Sequence, residues 1–341
     1  MNDASLLAIT PLGFPWDTID PFLFCVHHAD AYPKGNAEMG PDASLAGRNI
    51  GQDFAVKDGW RMYHGERVPG FPAHPHRGFE TVTVVLKGFV DHSDSFGAGG
   101  RYGEGDVQWM TAGRGLQHAE MFPLLKQDEE NPAELFQIWL NLPKRSKFVE
   151  PHYRMLWSEN IPVVHEADAS GKMTHVRLVA GRYGDAQAPA PAPDSWAADE
   201  ANDVAIWIIS MDAAAKWTLP AAPAGVRRKL YFFEGDTMQV AGEEIPAYHA
   251  AELQSDQAVE LFNGRAAARI LLLQGRPIAE PVVQYGPFVM NTQGEIREAF
   301  LDYQENQFGG WPWDRSDPVY LRERGRFARY ADGTEEDRDK P

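Results

Sequence analysis

Apolar residues along this chain fall in short runs separated by Gly, Pro and polar turn residues, the spacing of strands rather than of long amphipathic helices. In the first half, ETVTVVLKG at 80–88, DVQWMTAG at 106–113 and ELFQIWLNL at 134–142 are β-branched or aromatic segments bounded by turn formers. A second set has the same character: HVRLVAG at 175–181, DVAIWIIS at 203–210, RKLYFFEG at 228–235 and ARILLLQG at 268–275. The pattern predicts an all-β protein made of two β units. One helix is predicted near the end. Thr292 is an N-cap candidate with Glu295 as capping-box partner, Ile296, Ala299, Phe300 and Tyr303 recur at helical offsets, and Gly309 and Gly310 stop the pattern.

The basic, turn-rich PKRSKFVEP at 143–151 follows the strongest strand of the first half and has no periodic apolar face. It places the expected units at 1–147 and 148–320, with a charged tail at 321–341. The proline-rich GDAQAPAPAPDSWAADEAN at 184–202 reads as an extended, solvated loop inside the second unit. The tail has few apolar anchors with which to offset its ordering entropy, so a frayed end is expected.

Composition narrows the function classes. The 341 residues include 43% hydrophobic ones, ordinary for a globular chain, and carry a formal net charge of −17. Such an anionic surplus repels phosphate backbones and anionic lipid heads, which argues against nucleic acid and membrane surfaces as direct partners. Cys25 is the only cysteine, so an intrachain disulfide, a thiolate zinc finger and a four-thiolate iron–sulfur cluster are excluded. The N-terminal MNDASLLAIT is acidic where a signal peptide is basic, and no window approaches the roughly 20 apolar residues of a bilayer span. A reducing, cytoplasmic setting is expected.

Candidate chemistry lies in HPHRGFET at 74–81. On a strand, residues i and i+2 share a face, so His74 and His76 present two imidazoles to one side, with Pro75 stiffening the backbone between them. In GDVQWMTAGRGLQHAEM at 105–121, His118 and Glu120 form a second i, i+2 pair. If the two strands are neighbours, four donors converge. Three imidazoles and one carboxylate leave an octahedral ion two open positions, which suits iron(II) first, or manganese; zinc would be closed by the same four donors and become structural. Glu80 lies on the histidine face by parity and competes with Glu120 as the carboxylate, or serves as ion-pair partner of Arg77 or Arg114.

Together with ELFQIWLNLP at 134–143 and EPVVQYGPFVMNT at 280–292, these two motifs resemble the pirin family of bicupins. The resemblance implies two tandem jelly-roll-like cupin barrels packed face to face, with iron in the N-terminal barrel alone. It carries the ligand roles to His74, His76, His118 and Glu120, and leaves Glu80 behind the ligands. His175 and His249 are isolated in the second half, in keeping with a C-terminal barrel that has lost its site. The stretch from His27 to Arg61 is longer than the family's short members lead one to expect. His27, His28 and His64 there are candidates for the mouth of the site or for ordinary loop roles. His92 reads as a surface turn residue.

The activity implied is oxidative cleavage of flavonols such as quercetin with O2, one Fe(II) per chain, and Glu120 as candidate base toward the flavonol hydroxyl. Phe79, Trp109 and Met110 are candidates for the walls of a small aromatic substrate's pocket, or for core packing. The alternative is an iron-dependent redox sensor acting through a protein partner without turnover. An isomerase or sugar-binding cupin ranks third. Two barrels in one chain already supply the paired packing of dimeric cupins, so a monomer is expected.

Overall fold

The structure is a computed structural model that describes residues 5–339; Asp3, read above as arguing against a leader, and the last two residues of the tail lie outside the described residues. Strands dominate, as the run lengths require. β1 (Leu6–Pro11) and β2 (Phe22–Tyr32) are followed, beyond residues 33–69, by β3 (Gly70–His76), β4 (Phe79–Lys87), β5 (Phe89–Asp94) and β6 (Gly99–Gly103). Next come β7 (Val107–Thr111), β8 (Leu116–Met121), β9 (Asn131–Asn141) and β10 (His152–Leu156). The α-helix α1 spans Gln293–Asn306, and Thr292 caps it by accepting the Glu295 backbone N–H on its side chain. The Glu295 carboxylate in turn accepts the Asn291 N–H at 3.0 Å, a reciprocal closure of the capping box displaced by one residue. No helix among the described residues is long and apolar enough to cross a membrane.

The chain forms two compact units. One comprises residues 27–138, 142–158 and 280–341. Its strands make a five-stranded sheet, in the order β10-β7-β4-β9-β2, and a six-stranded sheet ordered Glu335–Asp337, Phe327–Arg329, β6, β5, β8, β3. Val85, Leu135 and Tyr153 of the first sheet share one buried cluster with Val90, Tyr102 and Ala328 of the second. Strand β4 is buried on both faces from Phe79 to Val85, which its β-branched run TVTVV at 81–85 suits. The other unit comprises residues 1–26, 139–141 and 159–279. Its seven-stranded sheet supplies Val176, Trp207, Leu230 and Ile270 to a core completed by Trp217, Leu219, Val259 and Leu261 of a four-stranded sheet. Lys216–Leu219 and Val259–Asn263 alternate exposed and buried positions, as half-covered strands do.

These units do not follow the contiguous ranges 1–147 and 148–320. Strand β1 pairs with His249–Gln254, which ties the N-terminus to the second half, and Phe327–Arg329 pairs with β6, which ties the C-terminus to the first. The last residues of the tail, where fraying is expected, lie outside the described residues; up to residue 339 the tail is anchored from outside it. Arg101, fully buried, holds Asp91 through two 2.7 Å hydrogen bonds and donates to the carbonyls of Tyr320, Leu321 and Arg324 at 2.7–3.0 Å. Residues 27–32 are the end of β2 rather than the start of a loop, so the long irregular stretch begins at Pro33. The 184–202 segment lies in the second unit; Ala186–Gln187 pairs back on Arg182–Tyr183, and Ala192 is buried.

Candidate metal centre

Strands β3 and β8 run antiparallel with His74 opposite His118 and Phe71 opposite Glu120, a bulge falling between Phe71 and His74. On its other side β8 pairs with β5, with Asp94 opposite His118 and His92 opposite Glu120. Directly opposed residues share a face, so three strands present six side chains to one side in two rows. One row is His74, His118 and Asp94; the other is Phe71, Glu120 and His92. His76 joins the first row's imidazoles two positions beyond His74. The rings of His74, His76 and His118 stand 4.5–4.9 Å apart between centroids, and one nitrogen from each falls within 4.8 Å of the others.

The local sequence fixes how these rings point. The Nδ1–H of His74 donates to the Pro72 carbonyl at 2.9 Å, and that of His76 to the Pro287 carbonyl at 3.4 Å, leaving each Nε2 as the lone-pair donor. Pro287 reaches His76 because the segment before α1 docks on the turn after β3. Val289 N–H donates to the Arg77 carbonyl, and Lys147 Nζ, buried, donates to the carbonyls of Gly78 and Val289 at 2.8 and 3.1 Å. Gly78 sits at φ +85°, where a Cβ would collide with the Val289 carbonyl oxygen. Arg77 completes the clamp by donating to Asp302 of α1 at 2.7 Å while its guanidinium lies 4.4 Å from the Phe308 ring.

Burial sets the protonation states. It lowers His74 to about 4 and holds His76 and His118 well below the ordinary imidazole range, so all three rings are neutral and ligand-competent at pH 7. His118 has no exposed surface, and neither ring nitrogen has a hydrogen-bond partner among the described residues. A buried imidazole so placed is costly unless a cation takes its lone pair, and three neutral imidazoles form a donor set that accepts a divalent d-block ion. Glu120 is adjacent: its Oε2 lies 3.6 Å from His118 Nε2, outside the tight group of three. Thr83 Oγ1 donates to its Oε1 at 3.0 Å and Gln137 Nε2 to its Oε2 at 2.9 Å. Burial raises this carboxyl, against lowering by His92, Thr83 and Gln137.

Other expected residues are placed differently. Glu80 does not join the histidines, because the turn at Arg77–Gly78 carries the chain into the other sheet and breaks the parity. There Glu80 is fully buried and its Oε1 accepts from Trp109 Nε1 at 3.1 Å and Thr111 Oγ1 at 2.7 Å. Phe79, Trp109 and Met110 are also fully buried and act as core, though the Phe79 ring lies 5.0 Å from that of His76. His92 is no surface residue. It is fully buried, stacked at 4.9 Å on Tyr153, and accepts Gln108 Nε2–H on Nδ1 at 3.3 Å, which directs its Nε2–H toward Asp94, 3.5 Å away. Its signal was present in DHSD at 91–94, where His92 and Asp94 repeat the i, i+2 spacing of the other two motifs. His27 contacts Glu134 at 3.0 Å, and His28 is buried with its Nδ1 2.8 Å from the Tyr63 hydroxyl. In the other unit His175 is not isolated, since it stands directly across from His165.

Comparison with known proteins gives a consistent result. The family profile described as Pirin matches residues 16–140, and that of the pirin C-terminal cupin domain matches residues 206–309. Human pirin is 36% identical over 257 residues, covering 72% of this chain and 80% of the relative. A pirin-like protein of Caulobacter vibrioides is 37% identical over 246 residues, covering 70% and 80%. Among solved structures, a quercetin 2,3-dioxygenase from Acinetobacter baumannii matches with a TM-score of 0.69 and 29% identity, covering 90% of this chain and 96% of that one.

Proposed function

The chain belongs to the pirin family, and from that premise we propose that it is a mononuclear iron dioxygenase that opens flavonols such as quercetin. In this reading one Fe(II) per chain is held by His74, His76, His118 and Glu120, and O2 is the co-substrate. The observation that carries it is His118: a fully buried imidazole with neither nitrogen hydrogen-bonded among the described residues, facing two further neutral imidazoles. Likeness to a solved quercetin 2,3-dioxygenase over nearly the whole chain supports the substrate class. Iron bound there supplies redox chemistry with dioxygen and open positions for ligands.

The chain's own residues do the rest. His74 and His76 are oriented by backbone carbonyls, and so hold their Nε2 atoms toward the centre without reorganisation. Glu120 is kept by Thr83 and Gln137 at the edge of the imidazole group, with a carboxyl whose proton affinity burial has raised. That poises it to take the proton of a substrate hydroxyl. His92 lies beside Glu120 on the neighbouring strand.

The test is oxygen consumption by the iron(II)-loaded protein with quercetin, with flavonol absorbance followed in parallel, beside Glu120→Ala and a metal-free control. Turnover lost in both controls is the expected result. Verified iron loading with no consumption of either reactant would overturn the dioxygenase reading.

A further inference from the structure

We propose that His64, set on a strained corner at Tyr63, is a specificity-determining hydrogen-bond acceptor for a hydroxylated planar aromatic substrate, at a mouth formed with Phe54 and Phe71. The proposal rests on the aromatic-substrate reading above and names the residues that would select within that class.

The metal-ligand group is partly exposed at His74. His76 and His118 are buried, whereas His74 is half-buried, and so is Phe71, which shares their face of the sheet. The Phe71 ring lies 6.3 Å from His74, 5.8 Å from His64 and 6.3 Å from Phe54. His64 and Phe54 meet edge to face at 4.9 Å, and both are exposed. Aromatic surface therefore continues from beside the ligands to solvent, which offers a flat ring system a platform that the buried Phe79, Trp109 and Met110 do not.

His64 is held there at a cost. Tyr63 has φ +58°, a left-handed conformation that is uncommon and strained for a bulky residue. A buried network keeps it in place. The Tyr63 hydroxyl donates to Asp30 at 2.6 Å, Arg61 donates to the same carboxylate at 2.9 and 3.2 Å, and Tyr63 exchanges backbone hydrogen bonds with Asp53 at 2.8 and 3.0 Å. The corner carries Tyr63 into the core and turns its neighbour His64 outward. His64 Nδ1–H donates to the Gly51 carbonyl at 2.6 Å, which fixes the tautomer and leaves Nε2 as an acceptor with no partner among the described residues. A ligand hydroxyl that donates to this nitrogen gains a hydrogen bond that the analogue lacking it cannot make.

The experiment compares wild type, His64→Phe and His64→Gln, each iron-loaded and anaerobic, by tryptophan-fluorescence titration with quercetin and with unhydroxylated flavone. His64→Phe keeps the aromatic edge and removes the acceptor; His64→Gln restores an acceptor. The expected result is about tenfold weaker quercetin binding in His64→Phe, partial recovery in His64→Gln and unchanged flavone binding. In air, KM for quercetin should rise with kcat retained. Quercetin binding unchanged in His64→Phe, or quercetin and flavone weakened alike, would overturn the assignment of His64 while wild-type turnover still upheld the dioxygenase. A wild type that neither binds nor consumes quercetin would overturn both.

Discussion

His118 is the side chain on which the site depends most, because no hydrogen-bond partner among the described residues satisfies its ring nitrogens. Its two ring nitrogens are buried and unpartnered, and it stands at the centre of the six-residue array on β3, β8 and β5. His118→Ala is expected to reduce metal content from one equivalent per chain to near zero, read by elemental analysis. Glu80→Ala makes the opposite contrast. Metal content should stay near one equivalent, while the orphaned Trp109 and Thr111 donors cost about 1–3 kcal/mol each in urea unfolding. The reverse ordering would exchange the roles of Glu80 and Glu120. The clustered histidines were legible in the sequence because period-two spacing is a local property of a strand, which HPH and HAE each display without help from the fold. His92 and Asp94 have that spacing too, yet FVDHSD reads as a polar turn. His92 is satisfied by Asp94 and by Gln108 of β7, and Asp91 by Arg101 of β6, instead of by water, and that pairing exists only after β5, β6 and β7 assemble.

Among the elements, α1 and the C-terminal strands show what a local pattern does and does not reveal. The helix is announced by its cap, and Thr292→Ala is expected to cost about 1 kcal/mol in unfolding experiments through loss of the Glu295 N–H acceptor. Because the segment before α1 supplies the Pro287 carbonyl to His76, the same variant should also loosen metal retention in a chelator competition. The strand Phe327–Arg329 has no such signal of its own. It is only three residues long in a charged stretch, and joins β6 because the chain before it is threaded over Arg101, whose guanidinium collects carbonyls from Tyr320 to Arg324. Arg101→Met would leave Asp91 buried without its cation, at a cost of about 3–5 kcal/mol. Limited proteolysis should then cut beyond residue 320 under conditions where wild type resists. Equal resistance would mean that the strand pairing holds the segment unaided.

For the molecule as a whole, acid sets two effects against each other. The net charge of −17 at pH 7 relaxes toward zero near the sequence pI of about 5.0, so long-range self-repulsion falls as pH drops and by itself would stabilise the fold. Buried neutral imidazoles act in the other direction, and His28 isolates that effect because it lies outside the ligand group. Burial, then Arg61 and His27, lower it to about 3 from an ordinary 6.5. Below pH 6.5 the unfolded chain therefore takes up a proton that the native state refuses. The stability His28 contributes is complete above pH 6.5 and is lost as pH falls from 6.5 toward about 3, at about 1.4 kcal/mol per pH unit. His28→Leu removes this one titration and leaves the charge relaxation common to both proteins. Urea unfolding at pH 7.5 and 5.0 should show wild type losing about 2 kcal/mol more than the variant over that interval. Equal losses would mean that Nε2 of His28 takes up a proton within the fold while Nδ1–H keeps its 2.8 Å bond to the Tyr63 hydroxyl, and that the Asp30–Arg61–Tyr63 network beneath the His64 corner tolerates a further positive charge.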